Sequence, residues 1–189
     1  MPIRFQLNGR PVEVDGVAPT TTLLEWLRST GATGSKEGCA EGDCGACSVA
    51  VLDRSARGGP SWRSVDACLI PLPQMQGEDV VTVEGLAQGA LHPAQRALVD
   101  VLGSQCGYCT PGFAVALFEA TYRQDLDSSA RRDDQISGNL CRCTGYRPIR
   151  EELDRVAGTC PRDAFHPEDR PPTHVGHGSH YAHGANSRS

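Results

Sequence analysis

Apolar and polar positions alternate at the start of the chain, where "IRFQL" and "PVEVD" lie on either side of Asn8-Gly9. A period of two marks half-buried strands, and Asn-Gly between two such runs favours a type I′ turn because both residues accept positive φ. The chain therefore opens as an antiparallel hairpin. In "TTTLLEWLRST" the period changes: Leu23, Leu24 and Leu27 fall on one helical face, one of Thr20, Thr21 and Thr22 caps it, and Gly31 closes it. Three further apolar or alternating runs follow, "CSVAVLD", "SWRSVDA" and "DVVTV", separated by Gly, Pro and Arg. Two strands, a helix and three strands predict a small mixed sheet with a helix across it.

From about residue 87 the pattern is helical. "HPAQRALVDVLG" puts Ala97, Leu98, Val101 and Leu102 on one side, and "TPGFAVALFEATYR" offers Thr110 as a cap, Pro111 at the first helical position and Val115, Phe118 and Tyr122 as inward residues. "RRDDQISG" and "PIREELDRVAG" read as shorter, more polar helices. The pattern places the domain boundary between about residues 84 and 91, with a sheet unit over 1–86 and an all-helical unit over 87–158. Residues 159–189 are rich in Pro, His, Gly and Ser without apolar period, and are expected to form a disordered tail. Its His174, His177, His180 and His183 read either as metal ligands or as imidazoles that a polar tail happens to carry.

Composition narrows the function classes. With 39% hydrophobic and 22% charged residues the 189-residue chain is globular, and a formal charge of -5 with only 5% aromatics argues against nucleic acid as a partner. No apolar run approaches the roughly 20 residues that cross a bilayer. The opening "MPIRFQLNGRPVEVDG" has no signal-peptide or twin-arginine pattern, so the expectation is a soluble, cytoplasmic protein. Nine cysteines are many for such a chain, and in a reducing compartment they point to metal rather than disulfides.

Eight of the nine fall into two quartets. Cys39, Cys44 and Cys47, with Cys68 following at a distance, have the C-x4-C-x2-C spacing of a plant-type 2Fe-2S site. Gly38, Ala40, Gly42, Gly45 and Ala46 are small enough to let backbone N–H groups turn toward sulfur. Cys106 and Cys109, then Cys141 and Cys143, form the second quartet. There a C-x2-C turn is expected to grip one iron and a C-x-C turn its partner, while a single structural zinc also suits four thiols at these spacings. Cys160 is left over and reads as a free surface thiol.

"EGDCGACSV", "ACLIPLP" followed by "VVTVEGL", "LHPAQ", "GSQCGYCTPGF" and "GNLCRCTGYRPI", taken in order, resemble the iron-sulfur part of the molybdenum hydroxylases, nearest in wording to the xanthine dehydrogenase branch, over about residues 3 to 157. The resemblance implies an α+β architecture: a β-grasp 2Fe-2S ferredoxin-like domain followed by a small helical 2Fe-2S domain. It further implies a first cluster on Cys39, Cys44, Cys47 and Cys68 toward a flavin, and a second on Cys106, Cys109, Cys141 and Cys143 beside molybdopterin. Gln105 and Cys143 hold the positions that lie against the pterin in such proteins. Electrons would run from the molybdopterin centre of a large partner subunit through both clusters to FAD, on an FAD-binding subunit, and on to NAD; no residue of this chain would perform the hydroxylation.

Some features stand outside that pattern. Arg142 softens cluster charge, meets a partner, or is a solvated arginine; Tyr108 reads as packing, and "DRSARGGPSWRS" as a long hairpin without assigned role. No Gly-rich dinucleotide loop occurs, so flavin binding belongs to another subunit or the sequence is a fragment. Rival readings are the small subunit of an aldehyde or N-heterocycle hydroxylase, a structural zinc-binding interaction module, and a free ferredoxin needing only the first quartet.

Overall fold

A computed structural model describes residues 2–171. Strands β1 (Ile3–Leu7) and β2 (Arg10–Val14) pair antiparallel, with Leu7 opposite Arg10. Asn8 at φ 53° and Gly9 at φ 77° make the turn, both in the left-handed region that a type I′ hairpin requires. Helix α1 (Leu23–Ser29) begins with a capping box in which Thr22 and Glu25 each satisfy the other's backbone N–H. Strands β3 (Ser48–Asp53), β4 (Ser61–Asp66) and β5 (Asp79–Val81) complete a five-stranded sheet in the order β2-β1-β5-β3-β4. β5 runs parallel to β1 and antiparallel to β3, so the sheet is mixed.

Every residue of β3 is buried. The reason is that both faces of the sheet are covered: Val49 and Val51 join a core with Phe5, Leu23, Leu27 and Leu72, while Ala50 and Leu52 join one with Trp62, Phe113 and Phe118. The second core is built by helices α2 (Pro93–Asp100), α3 (Thr110–Tyr122), α4 (Ser129–Ser137) and α5 (Arg147–Val156). α3 is the axis of this half, buried without interruption from Gly112 to Tyr122. The helical half therefore shares its core with the sheet. Among the described residues no helix is long and apolar enough to cross a membrane.

The structure departs from the sequence reading at three places. α2 stops at Asp100, and Leu102 sits at φ 53° with 82% of its surface exposed, because the chain turns back there toward Ser104 and Cys106. Thr110 is the first residue of α3 rather than its cap; its hydroxyl donates to Ser104 Oγ. The third departure concerns the expected tail, since residues 159–171 pack against both halves. Gly158 and Cys160 donate their N–H groups to the carbonyls of Ala120 and Thr121 at the end of α3, satisfying acceptors a helix terminus leaves open. Phe165 is buried against Phe118 and His92, with its carbonyl accepting from Trp62 Nε1 at 2.7 Å. A lone aromatic in a polar segment has no period to read, which is why composition pointed to disorder. Burial holds His92 down to about 4, so it is neutral in this core. His174, His177, His180 and His183 lie outside the described residues.

Arg170 closes this strap by a two-pronged pair with Asp79 of β5, at 2.8 and 2.7 Å, where Asp79 is 2% exposed. Removing one partner of a buried pair leaves the other charge uncompensated, a loss of about 3–5 kcal/mol. Arg54 remains 3.9 Å from Asp79 and softens that loss. Arg170→Ala is expected to cost about 2 kcal/mol in urea unfolding, and less in the double change with Asp79→Asn; an unchanged midpoint would show that the strap carries no stability.

Candidate metal centres

The first cysteine loop joins α1 to β3 and is closed by Lys36 N–H donating to Ala46 O at 2.9 Å. Ala40, Gly42 and Gly45 have φ of 57°, 80° and 64°, and this curls the loop around Cys39. The Cys39 sulfur accepts from the N–H groups of Glu41 and Asp43, each at 3.4 Å. Those amides bring its thiol down to about 7, so the thiolate is available near neutral pH. Cys44 is its neighbour, their side chains hydrogen-bonding. Cys47 is 2% exposed, with its sulfur 3.4 Å from that of Cys68. Burial, and after it the Cys68 thiol and Asp66, push the Cys47 thiol far up. A buried thiol of this kind ionises when a cation offsets its charge.

The second quartet is split between the turn joining α2 to α3 and the turn joining α4 to α5. Cys109 and Cys141 pack against the helical core and hydrogen-bond one another. Cys106 and Cys143 are exposed and pair at the outer edge. Each turn thus supplies one inner and one outer thiol, and the close pairs cross between turns. Burial and then the Cys141 thiol push Cys109 up to about 12. For Cys141 burial acts the same way, yet the hydroxyl and amide of Thr144, at 3.1 and 3.4 Å from its sulfur, outweigh it and bring the thiol below its usual range. Tyr146, itself at φ 66°, fixes this turn by accepting from Cys141 N–H at 2.8 Å.

Each quartet is therefore two close pairs. Among the described residues no three or more His, Cys, Asp or Glu side chains converge on a ready-made position for a metal ion. Four thiols on each site, with amides turned toward the sulfurs of Cys39 and Cys141, suit a two-iron, two-sulfide rhomb carrying two thiolates on each iron. Gln105 is exposed beside Cys106, and Arg142 is exposed beside Cys143. Cys160 is a free thiol as expected but half-buried rather than at the surface, its sulfur 3.6 Å from His166 Nε2.

The two centres are bound together by residues that spacing did not single out. Leu140 N–H donates to Cys44 O at 3.0 Å, and Asn139 Nδ2 donates to Gly45 O at 3.0 Å. Gly112, in the first turn of α3, lies so close to that carbonyl that a Cβ there would stand 2.1 Å from Gly45 O. Farther along, Ser64 N–H of β4 donates at 2.8 Å to Glu119 of α3, a carboxyl that burial raises above the usual range. Asn139 and Gly112 stand inside the quoted motifs, so the signal was present but had no meaning without the facing loop.

Two family profiles match the chain: a 2Fe-2S iron-sulfur cluster binding domain over residues 5–71 and a 2Fe-2S binding domain over residues 82–153. Xanthine dehydrogenase of Emericella nidulans is 46% identical over 149 residues, which is 78% of this chain. Among solved structures, quinoline 2-oxidoreductase from Pseudomonas putida 86 matches at TM-score 0.69 and 34% identity, covering 81% of this chain and 90% of that one. Aldehyde oxidoreductase from Desulfovibrio gigas matches at TM-score 0.70 and 34% identity, covering 81% of this chain and 16% of that one. The chain spans only 11% of the length of the xanthine dehydrogenases it matches.

Proposed function

Because the chain belongs to the two-cluster iron-sulfur family of the molybdenum hydroxylases, we propose that it is the electron-relay component of such an enzyme, of the xanthine dehydrogenase type. In this reading a β-grasp ferredoxin-like domain over residues 1–86 presents Cys39, Cys44, Cys47 and Cys68 to the first 2Fe-2S cluster, and a helical domain over 87–158 presents Cys106, Cys109, Cys141 and Cys143 to the second. When bound, the clusters supply one-electron redox chemistry that side chains lack. The chain's own residues fix the sulfurs, aim N–H donors at them and exclude water from the inner thiols. Metal-bound cysteines at this density suit a reducing compartment such as the cytoplasm.

The observation that carries the reading is the Leu140 N–H to Cys44 O bond. Leu140 precedes Cys141 and Cys44 belongs to the first quartet, so one hydrogen bond of 3.0 Å links a residue of each cysteine loop. A zinc-binding interaction module has no need of such a link, and a free ferredoxin has no second quartet. The exposed edge formed by Cys106, Cys143 and Gln105 is the face for the molybdopterin-binding large subunit, while the Cys39 loop serves an FAD-binding subunit and, beyond it, NAD. Substrate choice falls in this reading to the large subunit, and aldehyde or N-heterocycle hydroxylation stands beside xanthine as the alternative.

The native complex tests this. Anaerobic mixing with xanthine should bleach the visible absorption of the clusters, and Gln105→Ala should keep the iron but slow the bleaching about tenfold. Bleaching by an aldehyde or quinoline alone would move the chain to a sister enzyme; unchanged rates in Gln105→Ala would remove that residue from the contact.

A further inference from the structure

Tyr108 stands between Cys106 and Cys109, yet its side chain leaves the second quartet and lies on the loop of the first. Its hydroxyl donates to the carbonyl of Glu37, 71 residues away in sequence. Its ring carbon Cε1 is 3.8 Å from the place a Cβ would take on Gly38, and that same place is 2.8 Å from the Cys44 sulfur. The Glu37 carbonyl is thus tied by the tyrosine hydroxyl, while the tyrosine ring and a sulfur of the first quartet both flank the open side of Gly38. Both turns of the second quartet reach across to the first loop, one through Leu140 and the other through Tyr108.

Packing alone does not account for this side chain. Tyr108 is 49% exposed, and a phenylalanine would fill the same space while leaving its ring unpinned and the Glu37 carbonyl without this donor. The hydroxyl pins the ring where it shields the Gly38 and Cys44 flank from water. Solvent exposure is one of the factors that set an iron-sulfur potential. A site that gains an electron becomes more negative, and water stabilises the more negative state more strongly. Keeping water from this flank therefore lowers the potential of the first centre.

We propose that Tyr108 is a positioning residue that holds the first cluster's loop closed from the second cluster's turn, and by doing so sets the reduction potential of the first cluster. The proposal rests on the two-cluster reading above. Removing the hydroxyl lets the ring swing and water reach the loop, and removing the ring opens the flank fully. The potential of the first cluster then rises in the order wild type, Tyr108→Phe, Tyr108→Ala.

The test is a paramagnetic-resonance redox titration of the full chain holding its clusters, with the first cluster's signal identified as the one that survives Cys143→Ser. At a fixed potential, Tyr108→Phe should raise the reduced-to-oxidised ratio of the first cluster about three- to tenfold, tenfold being about 59 mV for one electron, while the second cluster's ratio stays within about twofold. A merely structural tyrosine would lower unfolding stability without moving one signal selectively. Two signals with unchanged potentials, or with equal shifts, overturn the proposal alone. A wild-type chain with fewer than two signals overturns the two-cluster reading and this inference with it.

Discussion

Cys143→Ser leaves the chain with about two irons in place of about four, and with a single paramagnetic signal on reduction. Cys143 is paired at the exposed edge with Cys106, which lies on the other turn. A serine oxygen is a harder and less acidic ligand than a thiolate, so the outer pair loses half of its grip on iron. The first quartet is held by its own loop and by the Cys47–Cys68 pair at 3.4 Å, so that centre stays. With the molybdopterin partner docked at the outer edge as proposed, electron entry should fall by about a hundredfold or more. Iron analysis and the count of paramagnetic species check this directly. Four irons and two unchanged signals in the variant would remove Cys143 from the ligand set.

Gly112→Ala has the second large effect. By helix propensity alone the change favours α3 by about 1 kcal/mol. Sterics oppose it, since the new methyl would stand 2.1 Å from Gly45 O and 2.9 Å from Asn139 Nδ2. α3 cannot retreat, being buried from Gly112 to Tyr122. Overpacking of this kind costs about 1–3 kcal/mol and sometimes more, so the clash outweighs the propensity gain. The first cysteine loop must give way, and the Asn139–Gly45 and Leu140–Cys44 bonds open with it. The expected result is a chain about 2 kcal/mol less stable that retains both clusters and exchanges electrons between them about tenfold more slowly or worse. Equal stability and equal exchange would mean that the junction is soft and that its close contact has no role.

These effects show how far sequence reaches. The hairpin was legible because Asn8 and Gly9 are the pair a type I′ turn selects, and α1 because capping threonines precede Leu23, Leu24 and Leu27 at helical spacing. Both signals involve residues that touch within one turn of chain. β3 was legible as a strand from its apolar run, but its burial to both polar ends, Ser48 and Asp53, and its two different coverings were not. The parallel pairing of β1 with β5 joins segments about 70 residues apart, and no local pattern encodes that. For the candidate centres, spacing revealed which thiols share a loop. It could not reveal that the second quartet pairs across its two turns, since that depends on how Cys109 and Cys141 pack into the core while Cys106 and Cys143 face outward. Phe165, Gly112 and Tyr108 were missed for one reason: each acts on a surface brought to it by distant chain.

Two four-thiol sites, each a pair of pairs, are proposed to hold two redox clusters in loops joined by the Leu140–Cys44 and Asn139–Gly45 bonds. Reduction of the anaerobically purified chain, followed by low-temperature paramagnetic resonance with spin integration and metal analysis, tests it most directly. The account predicts two distinct signals, each near one spin per chain, with about four irons and four acid-labile sulfides. A single signal with about two irons, or a colourless chain holding zinc, would contradict it.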